Sequence, residues 1–393
     1  MIHLLLAIIY VAFISLGLPD SLLGSAWPSM YQELSVPVSY SGIIFMIIAG
    51  GTIISSLQSD RLTKKFGTGK VTAFSVLLTA AALLGFSFSH SFPALCLWAV
   101  PYGLGAGSVD ASLNNYVALH YASRHMSWLH CMWGVGASLG PYIMGHALTG
   151  GHGWTMGYRY ISFLQVGLTA VLFISLPLWN KKANETIAPA NVSDTAAPLP
   201  LKQIIKIPGA KEIMITFFCY CALEQTTGLW ASSYLVLYRC FSSHKAAGLA
   251  SLFFMGITGG RFLSGFLTLK LNDKQMIRLG QAVIATGILS LLLPFGEASS
   301  LLGLILIGLG CAPIYPCIIH STPANFGADK SQAIIGVQMA SAYIGTCLMP
   351  PAFGLIANHI NIALLPIYLS AVLVLMVLMH EKVLRIIKSA DNG

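Results

Sequence analysis

The stretch Gly17-Leu-Pro-Asp-Ser-Leu-Leu-Gly-Ser-Ala-Trp-Pro-Ser-Met30 lies within the first long apolar run of the chain and places a carboxylate, Asp20, among hydrocarbon side chains. At the centre of a bilayer such a group costs at least about 2.5 kcal/mol unless it faces a cavity or a partner. Gly17, Pro19 and Gly24 surround it, so a bent or loosened helix is expected, with its freed backbone groups satisfied by water or protein. A segment of this kind belongs in a helix bundle with a wet centre.

The rest of the chain has the composition such a bundle needs. Of 393 residues, 56% are hydrophobic and 9% charged, against about a quarter charged in soluble domains. Apolar runs of about 20 residues recur, each long enough to cross a core of roughly 30 Å as a helix. The short alternating segments of a β-barrel are absent. The chain therefore reads as an all-α integral membrane protein.

Spans are expected near 3–30, 38–58, 71–89, 93–120, 126–149 and 158–179, and again near 209–237, 246–269, 276–294, 299–321, 332–357 and 361–380. Between the sixth and seventh, residues 181–208 hold Lys181, Lys182, prolines and scattered Ser, Thr and Asn, a linker composition. The expected organisation is twelve transmembrane helices, with one six-helix bundle over residues 1–180 and a second over 209–393. The first segment lacks a basic leading region and an A-x-A site, so it is expected to be retained as a helix and not removed as a signal peptide.

Charge placement explains the net charge of +8. Of 21 lysines and arginines, Arg159, Arg239 and Lys245 fall in one set of loops, Arg261 falls within a span, and the other 17 fall in the opposite loops, linker and tail. The positive-inside rule then sets both termini on the cytoplasmic side of a cell membrane. The basic surplus is a topology signal and implies no nucleic-acid partner. Eight cysteines lie in or beside apolar stretches without a CxxC motif, which reads as small buried hydrophobes.

The halves repeat. An offset of 209 residues carries Gly50-Gly51 onto Gly259-Gly260 and Gly136, Pro141 and Gly145 onto Gly345, Pro350 and Gly354. An offset of 205 carries Gly103 and Gly105 onto Gly308 and Gly310, and one of 204 carries Asp20 and Gly24 onto Glu224 and Gly228. Two pseudo-symmetric halves on either side of a polar linker are a transporter pattern.

Three carboxylates fall inside spans: Asp20, Asp110 and Glu224. Intramembrane acids are rare, and burial favours their neutral form, which suits a group that loads and releases a proton. A polar anchor between helices is the plainer alternative. Asn114 lies one turn beyond Asp110 on the same face and offers a donor and an acceptor to a polyhydroxylated solute. Aromatic faces suit the C–H face of a sugar, which brings in Trp133, Trp230 and Tyr315, although core packing explains any one of them equally well. Gln225 and Gln338 complete the candidate solute contacts. Arg261, in Gly259-Gly-Arg-Phe-Leu-Ser-Gly265, pairs with a carboxylate or snorkels. With Asp60 and Arg61 it forms the candidate conformational set. His130 is a lone histidine, read as a packing or hydrogen-bonding group. No metal, cofactor or enzyme signature is present: HExxH, G-x-S-x-G and the Walker A pattern are all missing.

The twelve-span order, the basic linker and the loop Ser59-Asp-Arg-Leu-Thr-Lys-Lys-Phe-Gly67 resemble the major facilitator superfamily. Its loop signature is roughly G-x-x-x-D-R-x-G-R-[KR]. Asp60-Arg61 and Lys64-Lys65 match it, while Ser56 and Thr63 stand at its glycine positions. Within it the chain looks most like the fucose-proton symporter family. The resemblance is carried by Leu129-His130 with Trp133-Gly-Val-Gly136, by Ala222-Leu-Glu224 with Trp230, by Gly260-Arg261-Phe262, and by Ala312-Pro-Ile-Tyr-Pro316. It implies acids in spans 1 and 4 serving proton coupling and sugar binding, which puts Asp20 and Asp110 in those roles. The expected function is secondary transport by alternating access, as proton-coupled symport of a sugar or similar small solute by a monomer in the lipid bilayer. Proton-coupled efflux of drugs or metabolites, a sodium-coupled or uncoupled facilitator, and a non-transporting sensor remain open alternatives.

Overall fold

The computed structural model describes residues 2–37, 40–179, 199–241, 243–294 and 296–391. The linker expected over 181–208 falls largely outside these residues. Its described end carries one short helix, Leu201–Ile204.

The described residues include fourteen delimited α-helices and no strand. They are α1 (Ile2–Gly17), α2 (Leu22–Glu33), α3 (Ser41–Phe66), α4 (Thr68–Ser87), α5 (Phe92–His120), α6 (Ser123–Thr149), α7 (Gly153–Ile174), α8 (Leu201–Ile204), α9 (Ala210–Leu237), α10 (Ser243–Leu267), α11 (Asp273–Leu292), α12 (Gly296–Phe326), α13 (Ala328–Ile356) and α14 (Leu365–Asp391). Each of the twelve expected spans falls on one of these helices, with α1 and α2 together forming the first. Among the described residues eight stretches are long and apolar enough to cross a membrane, the first running from α1 into α2 and the last through both α13 and α14. Helices α6 and α9 are long enough but too polar to be counted among them. Their polarity comes from residues such as His130, Glu224 and Gln225, side chains that hydrocarbon disfavours.

The helices fall into two compact units, one of residues 1–120 and 129–198, the other of 121–128 and 199–393. In the first unit α2 is the central post. Leu22, Ala26, Trp27 and Met30 pack with Ile44 of α3, Leu83 and Phe86 of α4, Ala99 and Tyr102 of α5, Met144 of α6 and Trp154 of α7. Trp27 is thus a core residue.

Within each unit, helices approach through glycine. A Cβ added to Gly103 of α5 would lie 2.2 Å from the carbonyl oxygen of Ile48 in α3, and one added to Gly308 of α12 would lie 2.2 Å from that of Phe253 in α10. Both members of this contact are offset by the 205 residues seen in the sequence. Similarly, Gly136 of α6 would meet Ile14 O of α1 at 2.0 Å, and Gly345 of α13 would meet Phe218 O of α9 at 2.6 Å. Small residues let membrane helices touch backbone to backbone, and hydroxyl groups then bridge them. Thr52 Oγ1 donates to Gly103 O at 3.2 Å, Ser56 Oγ to Gly107 O at 3.3 Å, and Ser55 bonds both Leu104 O and Ser108.

Candidate functional site

The break between α1 and α2 creates the first element of the site. Pro19 has no N–H to continue the helix, and the chain turns over residues 18–21 with Asp20 N donating to Gly17 O at 3.2 Å and Leu22 N to Pro19 O at 3.1 Å. The turn lifts Asp20 out of the helical packing, and its side chain is exposed although Leu18 and Pro19 beside it are buried. Trp133 Nε1 of α6 donates to Asp20 Oδ2 at 2.8 Å, and the Tyr102 hydroxyl of α5 donates to Oδ1 at 3.2 Å. Each carboxylate oxygen therefore accepts one bond from a rigid aromatic donor and keeps a second lone pair for a solute. The indole is placed by the glycine contacts of α6: Gly136 rests on Ile14 O, and a Cβ on Gly17 would lie 2.1 Å from the carbonyl oxygen of Trp133 itself.

The second element is buried. Asp110 and Asn114 are 6% and 0% exposed, and Asn114 Nδ2 donates to Asp110 Oδ1 at 2.8 Å. Asn114, expected to offer its amide to a solute, is enclosed and spends that amide on Asp110 one turn earlier and on His130 of α6.

The other unit carries an acid cluster of its own. Glu224 lies on a continuous α9, where the Tyr220 hydroxyl one turn earlier donates to Oε2 and Arg261 Nη2 of α10 lies 3.8 Å from Oε1. Arg261 is 4% exposed, so it is a buried counter-charge and does not snorkel. Tyr315 closes the cluster with its ring 5.9 Å from that of Tyr220 and 4.6 Å from that of Phe217, its hydroxyl directed at Met339 Sδ.

Other sequence candidates lie elsewhere. Trp230 Nε1 donates to Pro350 O at 2.9 Å and its ring packs edge-on to Phe353, a bond from α9 to α13. Gln338 is fully buried with its amide nitrogen donating to the Thr322 hydroxyl at 3.1 Å. Gln225 is exposed and turned one position round the helix from Glu224. Asp60 is buried at the end of α3, 3.1 Å from Lys64 Nζ, and Arg61 is exposed. Sequence reasoning missed Tyr102 and Tyr220 as partners of Asp20 and Glu224, and His130 as the partner of Asn114 behind Asp110. Only Tyr220, four residues before Glu224, carried a spacing signal.

Removing one partner of a buried ion pair leaves an uncompensated charge, and such losses reach about 3 kcal/mol or more. Arg261→Leu is therefore expected to lower the melting temperature of the purified protein, and Glu224→Gln added to it is expected to restore most of the loss. Equal melting of Arg261→Leu and the parent protein would show that the pair contributes nothing.

Residues 9–350 match the Major Facilitator Superfamily. The chain belongs to this superfamily. As a superfamily member it is a multi-pass membrane transporter and not an enzyme. Its similarity to Bypass of stop codon protein 6 of Saccharomyces cerevisiae is 21% identity over 91% of this chain and 78% of that protein. To the glucose/mannose transporter GlcP of Bacillus subtilis it is 22% identical, covering 90% and 88% of the two chains. A crystal structure of the E. coli fucose:proton symporter FucP superposes with a TM-score of 0.75 at 15% identity, over 96% of this chain and 98% of that one. The superfamily fold thus embraces nearly the whole chain.

Proposed function

We propose that this transporter is a secondary active symporter that couples proton entry to uptake of a sugar or similar polyhydroxylated solute by alternating access. The observation that carries the reading is the exposed Asp20 carboxylate held between an indole N–H and a phenol O–H. Its open lone pairs accept solute hydroxyls while the Trp133 ring offers a flat apolar face, the two contacts a saccharide needs. Asp110, buried with an amide donor, serves as the main proton carrier. Asp20 shares binding and coupling, and Glu224, with Arg261 as its counter-charge, is a further coupling acid. The relative named for glucose and mannose and the fold neighbour named for fucose and protons support the same class of solute. The lysine and arginine distribution supports both termini on the cytoplasmic side of a cell membrane. The cycle so read runs on H+ alone, without a cofactor, in a monomer.

The test is uptake into proteoliposomes of labelled D-glucose, D-mannose and L-fucose, with an acidic exterior. Accumulation that a protonophore collapses is expected for at least one of them. Asp20→Ala removes an ionic acceptor worth about 1.5–3 kcal/mol, so apparent affinity should fall by about tenfold to a hundredfold. Expulsion of preloaded solute under the same gradient would establish antiport instead, and dependence on a sodium gradient alone would remove the proton.

A further inference from the structure

Asn114 is fully buried, and its amide nitrogen donates twice to one residue: to the Asp110 carbonyl oxygen at 3.0 Å and to Asp110 Oδ1 at 2.8 Å. Both amide hydrogens are thereby used, and the amide oxygen faces the other way. There it meets Nε2 of His130, from α6, at 3.0 Å. An amide oxygen only accepts, so His130 carries a proton on Nε2 and donates it. The opposite amide orientation would set the oxygen of Asn114 against two acceptors, the Asp110 carbonyl and carboxylate oxygens. With Nε2–H as donor, His130 holds the amide oxygen and so reinforces the orientation that the two Asp110 acceptors set. The imidazole is itself held edge-on by the ring of Phe13 in α1, with centroids 5.4 Å apart at 86°.

Three residues further along α6 stands Trp133, on the same helical face, donating to Asp20. One face of α6 therefore reaches both acids of this unit, Asp20 directly and Asp110 through Asn114. We infer that His130 is a positioning residue that locks the Asn114 amide onto Asp110 and, through α6, ties the state of Asp110 to the Trp133–Asp20 pair. The inference rests on the reading of Asp110 as the proton carrier. Hydrogen bonds to an ionised acceptor are about twice as strong as neutral ones. Proton uptake by Asp110 weakens the Asn114 bond, slackens the His130 bond behind it, and loosens α6 at the level of Trp133.

The full-length protein in lipid can be examined without a solute, by infrared difference spectroscopy between neutral and acidic pH. The carboxylic C=O band of Asp110 is identified by its loss in Asp110→Asn. His130→Phe keeps the ring and its packing on Phe13 but removes the donor. It is expected to move that band to higher frequency, because the acid carbonyl loses the N–H of Asn114. His130→Gln places an amide N–H at the same reach and is expected to return the band to its original position. Asn114→Ala, which removes the relay itself, should reproduce the His130→Phe shift and supplies the test if His130→Phe fails to fold. In the vesicles described above, labelled hexose exchange should persist in His130→Phe while accumulation driven by the pH gradient is lost, and His130→Gln should recover it. An unmoved band in His130→Phe or Asn114→Ala, or a His130→Gln protein that behaves like His130→Phe, overturns the inference and leaves the proton-carrier role of Asp110 standing. Absence of any Asp110 band from the parent protein overturns that role and the inference together.

Discussion

Asp110→Asn is expected to abolish solute accumulation driven by a pH gradient while leaving equilibrium exchange of the same solute in place. The substitution is nearly isosteric, and an amide oxygen at this position still accepts the Asn114 N–H that reaches Asp110 Oδ1 at 2.8 Å. Burial is unchanged, since residue and partner are both enclosed. What disappears is the capacity to take up and release a proton within hydrocarbon. A carrier without that capacity can still bind and exchange solute, but its accumulation ratio falls to unity. The measurement is paired uptake and exchange in proteoliposomes with an acidic exterior. Accumulation at the level of the parent protein would remove Asp110 from the coupling role.

Gly136→Ala is expected to have the largest effect on stability of any single-methyl change in α6. Its Cβ would lie 2.0 Å from Ile14 O, 2.9 Å from Ile14 C and 3.0 Å from Leu18 N, all backbone atoms that no side-chain rotation can move. Overpacking of this kind costs about 1–3 kcal/mol, occasionally more. Against it stands the helical preference for alanine over glycine, roughly 1 kcal/mol, so the clash decides the sign. Gly145→Ala on the same helix meets nothing within 4 Å and gains the preference alone. Melting of the purified proteins should therefore show Gly136→Ala below the parent and Gly145→Ala at or above it. Because α1 must move away from α6 to admit the methyl group, Gly136→Ala should also weaken the bond between Trp133 and Asp20 and lower solute affinity. Equal melting of the two variants would mean that the helices part at little expense.

The helices were legible in the sequence because the bilayer imposes a length and a composition on any segment that crosses it. The repeat was legible for a related reason. Glycines at helix contacts cannot be replaced without separating backbones, so Gly103 and Gly308, or Gly136 and Gly345, keep their spacing and meet corresponding carbonyl oxygens in each half. The acids stood out for their cost in hydrocarbon. Their partners did not. Tyr102 and His130 come from helices whose faces are set by tertiary packing, the choice of Arg261 between pairing and snorkelling was left open, and aromatic residues such as Trp230 look alike in sequence whether they face a solute or, as here, bond a neighbouring backbone.

Asp20 and Glu224 show where that division lies. By itself the sequence determined that both are costly carboxylates at matching places in two related halves, because the price of an ionised group in hydrocarbon follows from residue type and position alone. The break beside Asp20 was also legible, in Pro19; only the tertiary structure decided which groups each acid meets. Pro19 precedes Asp20 where Leu223 precedes Glu224, so the first helix breaks and exposes its acid to an indole and a phenol. The second continues and holds its acid against Tyr220 and the buried Arg261. The missing N–H of one proline, and the helix faces brought opposite each acid, separate an open acceptor from a paired charge.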